Sequence, residues 1–145
     1  MNMAGEHKKV IIDSGPLVAF LNKNDQFHNW AVSQFALLFP PFYTCESVIS
    51  EVCFLLRNTQ NGQQNMLRLI DRDLIKLQFK LEAEISLIRN LINKYNDVPM
   101  SLADACLVRM SEQITNSLIC TLDSDFKVYR KDKRKVIPVL IPENL

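Results

Sequence analysis

Apolar residues along this chain fall into two alternating patterns. Short hydrophobic runs at about Val10–Asp13, Phe42–Cys45, Leu74–Phe79, Leu118–Leu122 and Val136–Ile141 have the length and character of strands in a covered sheet. Between them, Gly15–Leu21, Phe27–Phe39, Ser47–Asn58, Gly62–Arg72, Glu82–Tyr95 and Leu102–Ile114 carry helical patterns. Pro40-Pro41 stops the second of these helices, Asn61-Gly62 turns between the third and fourth, and Asn96-Asp97-Val98-Pro99 stops the fifth. Strands that alternate with helices imply a mainly parallel sheet with helices on both faces. In the second helix, Phe27, Trp30, Ala31, Gln34, Phe35 and Leu38 have the spacing of a buried stripe, which favours packing over base stacking for Trp30.

Four acids interrupt this pattern where a solvated side chain is not expected. Asp13 ends Val10-Ile11-Ile12, and Asp123 ends Leu118-Ile119-Cys120-Thr121-Leu122, so both stand at strand exits, which border the ligand crevice of an open parallel sheet. Glu51 lies three residues after Val48 and four before Leu55, and Asp104 three before Leu107 and four before Val108, which places both on the apolar faces of their helices. Burying an ionised carboxylate costs several kcal/mol, and two such charges about 4 Å apart repel by roughly 4 kcal/mol at an effective dielectric of about 20. A bound divalent cation removes both penalties. Taken singly, each acid has a local reading. Ser101-Leu102-Ala103-Asp104 fits a helix cap, Asp13-Ser14-Gly15-Pro16 an Asx turn, Asp123-Ser124-Asp125 a turn after a strand, and Glu51 the edge of an apolar stripe. Taken together, the strand-exit and helix-face arguments are independent and point into one cleft.

Length and composition narrow the class. With 145 residues, 48% hydrophobic, and only three glycines, the chain is expected to be one domain over residues 1–145 with a polar N-terminal extension over residues 1–8. It has no apolar stretch near the roughly 20 residues that span a bilayer and no signal-peptide core, so a cytoplasmic location and no membrane partner are expected. Cys45, Cys53, Cys106 and Cys120 lack C-x-x-C spacing and read as buried thiols, while His7 and His28 offer no metal-ligand spacing. Net charge is only +1, which leaves one local basic run, Lys127, Arg130, Lys131, Lys133, Arg134 and Lys135, either to bind phosphates beside the acids or to form a solvated loop.

Ile12-Asp13-Ser14 with Pro16-Leu17-Val18-Ala19-Phe20-Leu21, Ser50-Glu51-Val52, Ser101-Leu102-Ala103-Asp104-Ala105 and Thr121-Leu122-Asp123-Ser124-Asp125-Phe126 together resemble the signature segments of the PIN domain, in particular the small bacterial VapC-like ribonucleases. The resemblance runs from about Val10 to Val139. It implies a three-layer α/β/α sandwich around a five-stranded sheet, and a nuclease that uses Mg²⁺ or Mn²⁺ to cut RNA. Asp13, Glu51, Asp104 and Asp123 would then be the catalytic and metal-binding acids, with Asp125, Ser14 and Thr121 as accessories. Carboxylates without His or Cys suit such hard cations. For the family's toxins the resemblance further implies a homodimer and a small cognate antitoxin, for which Gly62–Arg72 and Glu82–Tyr95 offer amphipathic surfaces or simply cover the sheet. The alternatives are a non-toxin RNA-processing nuclease and a catalytically silent RNA-binding module, which is expected to lack one or more acids. A Mg²⁺-dependent phosphatase is disfavoured, because Asp13-Ser14-Gly15 replaces the Asp-x-Asp such enzymes commonly carry.

Overall fold

The apolar runs become strands β1 (Lys9–Ile12), β2 (Phe42–Thr44), β3 (Ile75–Leu77) and β4 (Ser117–Cys120) in the computed structural model, which describes residues 7–145. The polar extension expected over residues 1–8 therefore lies, for its first six residues, outside the described residues. The last run is divided. Strands β5 (Arg130–Lys131) and β6 (Lys135–Val136) pair with each other as an antiparallel hairpin, and only β7 (Val139–Leu140) joins the main sheet. The single strand expected over Val136–Ile141 is thus corrected. Asp132 and Lys133 take positive φ values of 49° and 73° and turn the chain tightly, and Pro138, which has no N–H to donate, separates β6 from β7.

The helices are α1 (Ser14–Leu21), α2 (His28–Leu37), α3 (Glu46–Leu55), α4 (Gly62–Asp71), α5 (Ile85–Lys94) and α6 (Leu102–Gln113). Strands follow the order β3-β2-β1-β4-β7 and every neighbouring pair is parallel, with Ile11 level with Tyr43 on one side and Ile119 on the other. From β1 the chain steps outward through β2 to β3, then returns past β1 to β4. Parallel crossovers are right-handed, so the two directions of travel put α1–α4 on one face and α5 and α6 on the other. The result is a three-layer α/β/α sandwich around a five-stranded parallel sheet.

Val10, Ile11, Ile12 and Ile119 form the middle of the core, with Leu17, Val48 and Val52 from the α1 and α3 side and Leu107 and Val108 from α6. Each such side chain contributes about 1.5–3 kcal/mol when fully buried. Asn61 adopts a left-handed conformation, φ 56°, to start α4, and Gly62 follows because a Cβ there would stand 2.4 Å from the Leu56 carbonyl oxygen. Helices α4 and α5 are held less deeply. Met66 and Ile88 are their buried anchors, whereas Leu67, Ile85 and Leu87 are exposed. The four cysteines are free, Cys45, Cys106 and Cys120 being buried and Cys53 half-buried. Among the described residues, no helix is long and apolar enough to cross a membrane.

Candidate active site

Because the crossovers leave β1 toward β2 on one side and return to β4 on the other, the sheet opens a crevice beyond the carboxyl ends of β1 and β4. Asp13 enters it directly from β1. Its N–H continues the ladder to the Cys120 carbonyl at 3.0 Å, its Oδ1 accepts the Ser14 N–H at 2.7 Å as the N-cap of α1, and its Oδ2 accepts the Thr121 hydroxyl at 2.7 Å. Thr121, fully buried, also accepts the Asp123 N–H at 3.0 Å, so one hydroxyl ties the two strand exits together. Asp123 in turn caps the short 3-10 turn Ser124–Lys127, accepting the Asp125 N–H at 2.9 Å.

Two acids arrive from helices. Asp104 occupies the first turn of α6, where the Ser101 hydroxyl accepts its N–H at 3.0 Å and the Tyr129 hydroxyl donates to its Oδ2 at 2.8 Å. Glu51 reaches across from α3 and accepts the Ser14 hydroxyl at 2.5 Å. Asp13, Glu51, Asp104, Asp123 and Asp125 line one cleft of about 410 Å³ together with Ser14. Thr121 is fully buried and does not line it.

The position of Glu51 on its helix departs from the expectation of an interior-facing acid. The buried face of α3 is set by Val48, Ile49 and Val52, with Leu56 one turn on, while Leu55 is half exposed. Glu51 therefore sits beside the stripe, exposed, and reaches the cleft from solvent. Asp104 does follow its apolar neighbours, since Leu107 and Val108 are fully buried and Asp104 is half-buried.

Burial dominates the electrostatics. Asp13, only 7% exposed, has its pKa pushed up from 3.8 to about 6 chiefly by desolvation; the Thr121 and Ser14 hydrogen bonds oppose the rise, and the charges of Asp104 and Glu51 add to it. Asp104 is likewise raised, by burial first, with the Tyr129 hydrogen bond opposing and the Asp123 charge adding. Asp125 is raised by burial and by Asp123. Among the described residues, none of the five cleft acids forms a salt bridge. Nor are any three acidic, His or Cys side chains there gathered closely enough to form a ready-made metal cage. Like charges with no cation between them repel, so open spacing is the physical expectation for such a cleft. The donor set is entirely hard oxygen, which fits Mg²⁺ or Mn²⁺ and not a thiolate- or imidazole-seeking metal.

The basic run lies outside the cleft. Lys131, Lys133 and Arg134 belong to the β5–β6 hairpin, whose tip is tied to α6 by the Asp132 N–H donating to Glu112 at 2.6 Å and to α5 by Lys94 donating to the Lys133 carbonyl at 2.9 Å. Glu112 is eight residues along α6 from Asp104, about 12 Å at 1.5 Å per residue. Arg130 turns its guanidinium onto the carbonyls of Lys127, Val128 and Tyr129, and Lys127 donates to the carbonyl of Leu145. Tyr129 is the site residue that sequence reasoning missed. It lies inside a charged run, and no local spacing connects it to Asp104, 25 positions earlier.

A family model described as the PIN domain matches residues 10–132. The crystal structure of VapC20 from Mycobacterium tuberculosis, described as a sarcin-ricin loop cleaving toxin, superposes with a TM-score of 0.68. The match covers 90% of this chain and 100% of that one at 18% identity, which establishes the shared fold. No curated protein sequence matches significantly.

Proposed function

The chain belongs to the PIN domain family, and from that membership we propose that it is a Mg²⁺- or Mn²⁺-dependent endoribonuclease, the toxin of a type II toxin–antitoxin pair. The observation that carries this reading is the meeting of five carboxylates in one cleft without a cationic partner among the described residues, one of them almost wholly buried. A divalent cation bound there would supply a water of lowered pKa and charge neutralisation at the phosphate. Asp13 and Asp104 would be its principal ligands, with Asp123 and, as an accessory, Asp125 in support, and Glu51, at the solvent side, would orient the attacking water. Ser14 and Thr121 hold the Glu51 and Asp13 carboxylates in place by the hydrogen bonds they donate. Hydrolysis would then form a bond from the water oxygen to phosphorus and break one phosphodiester P–O bond, with one proton of the water passing to the departing sugar oxygen and the other lost to solvent.

Lys127, Arg130, Lys131, Lys133 and Arg134 give the RNA-facing side of this reading. With a net charge of only +1, recruitment of a polyanion falls to such a local patch. The protein is read as cytoplasmic and homodimeric, with an antitoxin as its partner. The exposed Leu67 on α4 and, on the other face of the sheet, Ile85 and Leu87 on α5 are apolar positions offered for such contacts.

Purified protein is expected to cleave RNA when Mg²⁺ or Mn²⁺ is supplied and to stop on chelation, and Asp104→Asn is expected to reduce cleavage to background. Equal cleavage by wild type and Asp104→Asn would refute the assignment.

A further inference from the structure

Tyr129 has no part in the chemistry described so far, yet it is the largest fully buried side chain in the protein, and its hydroxyl ends on a cleft acid. Its ring is held edge-on by Tyr95, with centroids 5.1 Å apart, and by Phe126 at 5.2 Å. A phenol clamped by two aromatic neighbours and shut off from water has little freedom to turn, so its oxygen is a fixed point. Asp104 is different. It is half-buried and lines the cleft; the Ser101 hydroxyl accepts its backbone N–H and also lies against its carboxylate from the exposed side, so the direction of the carboxylate is set by the donors its oxygens meet, of which the Tyr129 hydroxyl is the buried one.

From this geometry we infer that Tyr129 is a positioning residue: by donating to Oδ2 at 2.8 Å, it turns the Asp104 carboxylate so that its remaining lone pairs face the cleft. The inference rests on the nuclease reading above, in which Asp104 is a cation ligand. Donors behind a ligating carboxylate set its orientation and basicity, and losing one typically costs about 10–100-fold in metal affinity or activity. The same aromatic pair also anchors the basic hairpin. Tyr95 accepts the N–H of Arg130, the first residue of β5, at 2.9 Å, so the acid and the start of the cationic strand are located by one packed unit. A rival account holds that a buried phenol needs an acceptor and Asp104 merely provides one. That account predicts lost stability on removing the hydroxyl and an unaltered affinity for the cation.

Tyr129→Phe keeps the ring and removes the hydroxyl. Calorimetric titration of Mn²⁺ into folded protein is expected to show affinity at least about tenfold weaker for Tyr129→Phe than for wild type. Wild-type affinity in the variant overturns the inference and leaves the nuclease reading standing, whereas a wild-type protein that binds no Mn²⁺ overturns both. A second readout needs no folded variant at that position. With three tyrosines in the chain, ¹³Cζ-tyrosine spectra of wild type, Tyr43→Phe and Tyr95→Phe assign the Tyr129 signal by elimination. That signal is expected to move on Mg²⁺ addition with the midpoint of Mg²⁺ binding, and a stationary signal overturns the inference.

Discussion

Replacing Asp13 by Asn is expected to make the metal-free protein more stable near neutral pH while removing its response to the cation. Asp13 is 7% exposed, and burial is the leading cause that lifts its pKa from 3.8 to about 6. Between those two values the folded protein keeps a proton that the unfolded chain has released. The stability tied to Asp13 is therefore fully present below about pH 4, is lost as the pH rises through about 6, and is level above that. A shift of about two units at 1.36 kcal/mol each gives a penalty of roughly 3 kcal/mol at pH 7.5. Asn keeps the shape and the acceptor for the Ser14 N–H, its amide can donate to the Thr121 hydroxyl, and it carries no charge at any pH. Thermal unfolding in chelator should accordingly show the variant and wild type close together near pH 4. At pH 7.5 the variant should melt roughly 6–12 °C higher, taking about 2–4 °C per kcal/mol for a chain of this size. Excess Mn²⁺ should raise the midpoint of the wild type and leave that of Asp13→Asn in place. A difference between the two proteins that does not change with pH, or a variant less stable than wild type at pH 7.5 in chelator, would refute the argument that Asp13 is an uncompensated buried charge.

Two further variants separate substrate recruitment and folding from the chemistry. Replacing Lys131, Lys133 and Arg134 together by Ala should raise KM with little change in kcat and flatten the salt dependence of RNA binding by about 2 in log–log slope, at about 0.7 per single-strand phosphate contact; binding measured across salt concentrations checks it, and an unchanged slope removes the hairpin from the RNA interface. Gly62→Ala places a Cβ 2.4 Å from the Leu56 carbonyl oxygen, so the α3–α4 connection must shift. A loss of roughly 1–3 kcal/mol is expected in urea unfolding, with Mn²⁺ affinity per folded molecule unaltered.

What could be read from the sequence follows from the range over which each feature is encoded. The strands and helices were legible because burial on a regular lattice writes its period into neighbouring residues, as Val10-Ile11-Ile12 and Leu118-Ile119-Cys120 do. The β5–β6 hairpin was not. Its residues are mostly charged, and it is held by contacts that come from elsewhere, Glu112 of α6 and Lys94 of α5. The orientation of Glu51 failed for a related reason. Two apolar neighbours at helical spacing locate a stripe only when both are buried, and Leu55 is half exposed. Tyr129 reaches Asp104 through tertiary packing alone.

The local readings of the acids and their role in the cleft turn out to be one arrangement. Asp13 caps α1 with one oxygen and Asp123 caps the following 3-10 turn, while Asp104 stands in the first turn of a helix capped by Ser101. A cap fixes the backbone and often the side-chain rotamer of the acid that makes it, so the Asp13 and Asp123 carboxylates reach the cleft with much of their ordering already done by secondary structure, while the Asp104 carboxylate takes its direction from the Tyr129 hydroxyl. The starts of α1 and α6 also bring partial positive charge near Asp13 and Asp104, which offsets some of the repulsion of gathering like charges there. Glu51 has neither advantage. It lies in the middle of α3, exposed, and is held by the Ser14 hydroxyl from 37 positions away in the chain. Asp13 and Asp123 are therefore ordered by their own caps and Asp104 by the Tyr129 hydroxyl, whereas Glu51 depends on the hydroxyl of Ser14. On this view Ser14 matters chiefly through Glu51: α1 carries the hydroxyl that restrains the one acid its own helix leaves loose.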